Sequence, residues 1–169
     1  MPELQALREN LHNDRPVAWD LLPDIGLYRD QLLSYMPRQQ VVPSEAGALT
    51  GAMVNNYIKA GILPRADGKK YSRAHLSLLT AICALKQVLS VSELQALFAK
   101  LDCVTPDPHE VYDMYCAMLD EACQLAALSL PENQDEQALA HLALQLAVHS
   151  YVQKLVCTQL LSGFAPADE

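Results

Sequence analysis

Residues 50–73 read TGAMVNNYIKAGILPRADGKKYSR, and they decide most of what the chain can fold into. Thr50 is placed to cap a short helix running to about residue 60. Its hydroxyl can accept one of the amide protons that a first helical turn leaves unpaired. Gly61 stands where a C′ glycine belongs, with Ile62 able to close a hydrophobic contact and Pro64 preventing continuation. Asp67-Gly68 signals a tight hairpin turn, and its short flanks predict a small two-stranded wing rather than a real sheet. Ser72 then caps a long helix over residues 73–89. Ser90-Val91-Ser92-Glu93 is a capping box that opens another helix to about residue 101.

A short helix, a tight turn, a basic hairpin and a longer supporting helix are the four parts of a winged helix-turn-helix. On the short helix Val54, Tyr57 and Ile58 can pack inward, while Gly51, Ala52, Asn55, Asn56 and Lys59 face out. Small residues at its start permit close approach of a phosphate, which the helix N-terminus attracts. Asn55 and Asn56 can pair with the N6 and N7 edge of adenine in the major groove, and Lys59 suits a phosphate. The wing would set Arg65, Lys69 and Lys70 near the backbone or minor groove. Arg73, in the first turn of the next helix, opposes the helix dipole, which points to a nearby anion. Taken singly, an Asn-Asn pair and a Lys-Lys turn are ordinary solvated features.

Outward from this stretch the chain is helical. Residues 1–12 can form a short helix. Asp24 can cap another to about residue 36, with Ile25, Leu27, Tyr28, Leu32, Leu33 and Met36 at helical spacing and Pro37 ending it. Asp107-Pro108-His109-Glu110 repeats the capping-box logic, with proline at the first helical position, for a helix to about residue 130. A final helix spans about residues 135–161. Both of these C-terminal helices are apolar around much of their circumference, as helices central in a bundle or buried in an oligomer are. The stretch 102–108 is the natural division. The segments are then 1–44 (helical), 45–101 (winged helix) and 107–162 (a C-terminal helical hairpin for dimerisation or effector sensing).

The chain has 169 residues, 51% of them hydrophobic, which excludes a disordered tail protein. Aromatics are scarce and Leu, Ala and Gln dominate, so the fold class is mostly α. The net charge of −8 argues against nucleic acid only until its distribution is seen. Residues 38–86 carry seven basic and two acidic side chains, a net +5, leaving −13 elsewhere. A compact basic segment in an acidic protein is the footprint of a phosphate-binding face.

Other chemistries find little support. The five cysteines form no Cys-x-x-Cys pair and read as reduced thiols on apolar faces. The histidines at 12, 75, 109, 141 and 149 are scattered, and no glycine-rich phosphate loop, catalytic triad or metal spacing accompanies them. The chain is therefore read as no enzyme and as holding no cofactor or metal. A metal or ligand site between His141, His149, His109 and Cys116 is the exception to look for. Tyr112, Tyr115, Met114 and Met118 are plain core or the lining of an effector pocket. Met1-Pro2-Glu3 opens no signal core, and residues 137–153, though uncharged, hold two His and three Gln, so the expected location is cytoplasmic with no membrane span.

Several motifs carry a resemblance. Residues 55–64, Asn55-Asn56-Tyr57-Ile58-Lys59-Ala60-Gly61-Ile62-Leu63-Pro64, resemble the segment of MerR-type regulators in which a tyrosine-containing recognition helix ends in Lys-x-Gly-Leu-Leu. Lys70-Tyr71-Ser72-Arg73 and Val88-Leu89-Ser90-Val91-Ser92-Glu93-Leu94 resemble that family's next two helix entries. A closer resemblance, over about residues 20–160, is to the bacterial domain of unknown function 1836 family. It rests on Leu22-Pro23-Asp24-Ile25-Gly26-Leu27-Tyr28-Arg29-Asp30-Gln31, Met53-Val54-Asn55-Asn56-Tyr57-Ile58-Lys59, Lys69-Lys70-Tyr71-Ser72 and Leu85-Lys86-Gln87-Val88-Leu89-Ser90. The resemblance implies a dimeric transcriptional regulator that binds double-stranded DNA, and it supplies no ligand. The alternative is a protein-interaction module on the same winged fold, since fold does not fix function.

Overall fold

The computed structural model describes residues 2–42, 48–131 and 135–164. Among them are seven α-helices and one two-stranded antiparallel sheet: α1 (Pro2–Asn13), β1 (Leu27–Tyr28), α2 (Arg29–Tyr35), α3 (Gly51–Lys59), β2 (Lys70–Tyr71), α4 (Arg73–Leu85), α5 (Val91–Val104), α6 (Pro108–Ser129) and α7 (Glu136–Ser162). Short 3₁₀ turns occupy Trp19–Leu21 and Met36–Gln39. The mostly α class holds. Residues 43–47, with Pro43 and Gly47, lie outside the described residues.

The helix ends follow the capping residues closely. Thr50 Oγ1 accepts from the Met53 amide at 3.3 Å. At the other end of α3, Ile62 N donates to Tyr57 O and Gly61 N to Ile58 O, the paired bonds of a Schellman motif, with Gly61 at φ 71°. Ser90 and Glu93 exchange both capping-box bonds, Ser90 N to Glu93 Oε2 at 2.7 Å and Glu93 N to Ser90 Oγ at 3.3 Å. Asp107 Oδ1 accepts from His109 N, with Pro108 opening α6, and Asp135 Oδ2 accepts from Ala138 N to open α7. Glu110 adds no reciprocal bond to the Asp107 cap among the described residues.

Four expectations are corrected. The helix expected from Asp24 to about residue 36 begins only at Arg29. Leu27 and Tyr28 instead form β1, and Gln31 Oε1 accepts the Tyr28 amide to start α2. Long-range pairing overrides the local periodicity here: Leu27 opposes Tyr71 and Tyr28 opposes Lys70. The wing is corrected with it. The two-residue turn exists, with Asp67 and Lys70 exchanging both backbone bonds and Gly68 at φ 59°. Beyond that bridge, however, the strand partner of Lys70–Tyr71 comes from upstream of α2. The helix α4 ends at Leu85 rather than near 89, because a turn over residues 86–88 drops Leu89 into the core before the Ser90 cap. Finally, the two C-terminal helices are not zipped into a hairpin: α6 packs against α4 and α1, and α7 against α5.

One apolar cluster organises the molecule. Leu22, Leu32, Met36, Val54, Leu63, Leu76, Leu79, Ile82 and Leu94 are the most enclosed side chains, and Tyr112 of α6 and Leu161 of α7 join the same cluster. It therefore draws on all three segments read from the sequence. Polar ties reinforce the junctions: Tyr112 OH donates to Val17 O at 2.7 Å, and Arg15 Nε meets Asp120 Oδ1 at 2.7 Å. Arg8 Nη2 reaches the carbonyls of Leu130 and Pro131 at 3.0 Å.

Candidate nucleic-acid interface

The helix α3 is sorted as its spacing demands. Val54 and Tyr57 are buried and Ile58 is half-buried, whereas Ala52, Asn55, Asn56 and Lys59 are exposed. Those four stand at i, i+3, i+4 and i+7, on one face. The Tyr57–Ile62 bond fixes where the chain leaves that face, and the turn that follows presents Arg65, Lys69 and Lys70, all exposed.

His75 holds the turn against the supporting helix. Its Nδ1 meets the Ser72 amide at 3.1 Å and the Ser72 hydroxyl at 2.8 Å, and its Nε2 lies 3.2 Å from Arg65 O. The buried imidazole thus spans from the turn to the start of α4, and its ring meets Tyr71 edge-on at 5.5 Å. Scanning histidines by spacing missed this role; the Ser72-x-x-His75 capping pattern was the signal available.

Arg73 is placed differently from the other candidates. Its Nη2 donates to Leu22 O at 3.0 Å, its guanidinium lies 5.9 Å from the Trp19 ring centre, and its Nε is buried without a partner among the described residues. This anchoring accounts for a cation in the first turn of α4 without any bound anion. Two basic residues of the segment have other surroundings as well. Arg38 lies over Tyr35, and Lys86 lines a cavity.

The structure adds one basic residue to the face. Arg29, exposed at the start of α2, places its Cδ 3.4 Å from where a Cβ on Gly51 would stand, so it lies beside the N-terminus of α3. The β1–β2 pairing also seats Lys70 Nζ 5.4 Å over the Tyr28 ring. Gly26 makes that pairing possible, since a Cβ there would stand 2.8 Å from Lys70 Cβ. The signal for Arg29 was its place directly after the strand, which could not be read without knowing that the strand exists.

The remaining candidates separate. His109 stacks on Trp19 at 4.8 Å and pairs with Asp113 at 3.2 Å, while His141 and His149 are exposed on α7. No group of three metal-binding side chains forms among the described residues. Tyr112 is core and Tyr115 half-buried, and burial raises both phenols; Met114 and Met118 are exposed. Tyr115 helps line a half-enclosed cavity of about 720 Å³ between α4 and α6, with Gln39, Thr80, Cys83 and Cys123. All five cysteines are free, and burial raises the thiols of Cys83, Cys116 and Cys123, which makes them poor nucleophiles. No helix among the described residues is long and apolar enough to cross a membrane.

The model of one protein family, described as a domain of unknown function (DUF1836), matches residues 17–115. No curated protein and no solved structure matches the chain. The matched stretch covers more than half of the sequence. It runs from Val17, whose amide is held by Gln39, through β1, α2, α3, the basic turn, α4 and α5 to Tyr115 at the cavity wall. On that extent of match, the chain belongs to the DUF1836 family.

Proposed function

We propose that this chain is a DNA-binding transcriptional regulator of the winged helix-turn-helix, MerR-like kind. In this reading α3 enters the major groove with Asn55 and Asn56 toward base edges and Lys59 toward a phosphate. Arg65, Lys69 and Lys70 grip the backbone from the turn, joined by Arg29 at the start of α3. The observation that carries the proposal is the exposed Asn55, Asn56 and Lys59 face, followed directly by a turn with three exposed cations, in a chain that is acidic elsewhere. Arg73 serves as an anchor for Leu22 and Trp19 rather than as a contact. No residue is assigned a catalytic role.

The test is duplex-DNA binding by fluorescence anisotropy over a salt titration, with fragments from upstream of the protein's own gene and random DNA as control. The expected result is a steep salt slope with one preferred fragment. Lys69→Ala or Lys70→Ala should flatten the slope by about one unit each. Asn55→Ala should relax preference at one base pair by roughly 1–3 kcal/mol. No binding at low salt would overturn the proposal and leave the protein-interaction module as the better reading.

A further inference from the structure

The half-enclosed cavity between α4 and α6, about 720 Å³ in volume, is closed further by Leu11 of α1 and by the chain from Met36 to Val42. Its size falls in the range of about 300–1,000 Å³ in which small organic ligands sit. Fourteen of the described residues line it, and none of them is Asp or Glu, in a chain that carries twenty. The inner wall is apolar and rich in sulfur. Met36, Cys83 and Cys123 are buried there, with Tyr115 and Leu119 half-buried beside them. The polar residues of that wall are turned to the chain itself. Gln39 Oε1 accepts from Val17 N at 3.0 Å, Gln39 Nε2 is closed off within the wall, and Thr80 Oγ1 donates to Leu76 O at 2.8 Å. These bonds fix the wall, so the cavity is a part of the fold.

The rim differs from the wall. Lys86 is half-buried and Gln87 exposed, just where α4 ends. Among the described residues Lys86 is the one charged group of the lining. Its ammonium lies close enough to Cys83 to oppose the rise that burial gives that thiol. The carbonyls of Ile82, Ala84 and Leu85 accept amides of the turn at 86–89, which blunts the negative end of the α4 dipole. A guest that fits both parts brings an apolar body to the wall and a negative charge to the rim. A cation would face Lys86 with no carboxylate in the lining to pair it. A charge pushed against the inner wall would lose its hydration without a partner. Polarisable sulfur favours an aromatic ring over a saturated one. We propose that this cavity binds an aromatic monocarboxylate, with its ring against Met36, Cys83, Cys123 and Tyr115 and its carboxylate at the rim with Lys86. Such a site holds whether or not α3 meets DNA, and needs no nucleic acid to test.

The test is a titration of the full, isotope-labelled chain with cinnamate at neutral pH, followed by backbone amide shifts. Saturable shifts on α4, α6 and residues 36–42 are expected, with a Kd of about 1 mM or tighter. Cinnamamide, uncharged, and cinnamylammonium, of opposite charge, should each bind about tenfold more weakly or worse. Lys86→Gln should weaken cinnamate about tenfold and leave cinnamamide unchanged. Ala84→Trp, at an exposed position of the lining, should block the mouth and abolish binding at unchanged helix content by circular dichroism. Lys69→Ala with Lys70→Ala should leave binding intact, which separates the cavity from the basic turn. No saturable binding, or binding that is lost with Lys69 and Lys70 and survives Ala84→Trp, would overturn the site. Equal binding of cinnamamide or cinnamylammonium would overturn the anion, and equal binding of cyclohexylacrylate would overturn the aromatic ring.

Discussion

The helices α4 and α7 are written in nearly the same alphabet and meet opposite fates. In α4, Arg73 is the only fixed charge, and eight of its thirteen residues are buried. In α7 an uncharged stretch is also rich in Leu, Ala and Val, yet one residue of twenty-seven is buried. The difference lies in what surrounds them. The helix α4 is enclosed by β2, α6 and the 3₁₀ turn at 36–39, whereas α7 has α5 along one end. Apolar content tells that a helix must be covered, not which chain covers it.

The largest test of this contrast is truncation in the two helices. Leu76→Ala or Ile82→Ala, each fully enclosed in α4, should cost about 2–5 kcal/mol in urea unfolding. Leu144→Ala on α7, measured on dilute protein, should stay within about 0.5 kcal/mol of wild type. Equal losses would erase the distinction. Next in size is Gly61→Ala. The positive φ at the end of α3 has nothing to do with space, because no atom lies within 4 Å of the added Cβ. The cost should be about 1–2 kcal/mol from backbone strain alone, read from the same unfolding midpoints.

A smaller effect is expected where the two regions join. The Ser90 amide and hydroxyl, with Lys154 and Thr158, hold the Glu93 carboxyl at about 2, below its ordinary 4.5. A lowered carboxyl stabilises the fold above its ordinary value, and that contribution is lost as pH falls through the lowered one. Unfolding midpoints should therefore drop between pH 5 and pH 2, and Glu93→Gln should show a shallower drop. Hydrogen exchange in α7 should rise over the same window. An unchanged pH profile in the variant would place the acid sensitivity elsewhere.

Much of this fold was legible wherever a structural cause is local. Thr50, Gly61, Ser90, Glu93 and Asp107 each act on atoms within a few residues, and the helix ends fall where they put them. The failures share a different character. The periodicity of Ile25, Leu27 and Tyr28 gave no hint that Tyr28 would pair with Lys70. The tie of Arg73 to the Leu22 carbonyl could not be read either, because its partner lies 51 residues away. The candidate face was readable along α3, since one helical period orders it, but Arg29 joined it only through packing against Gly51.

The pairing of Leu27–Tyr28 with Lys70–Tyr71 carries a consequence for the order of folding. Among the described residues, β2 has no other strand beyond the turn, so its pairing must wait for the closure of a loop that holds both α2 and α3. Closing such a loop costs chain entropy before any ladder bond returns it, and contacts distant in sequence form late. The basic turn should therefore gain its fixed position only after α2 and α3 have docked. A nascent chain that had emerged no further than residue 65 would already hold α3, but not the basic turn fixed beside it.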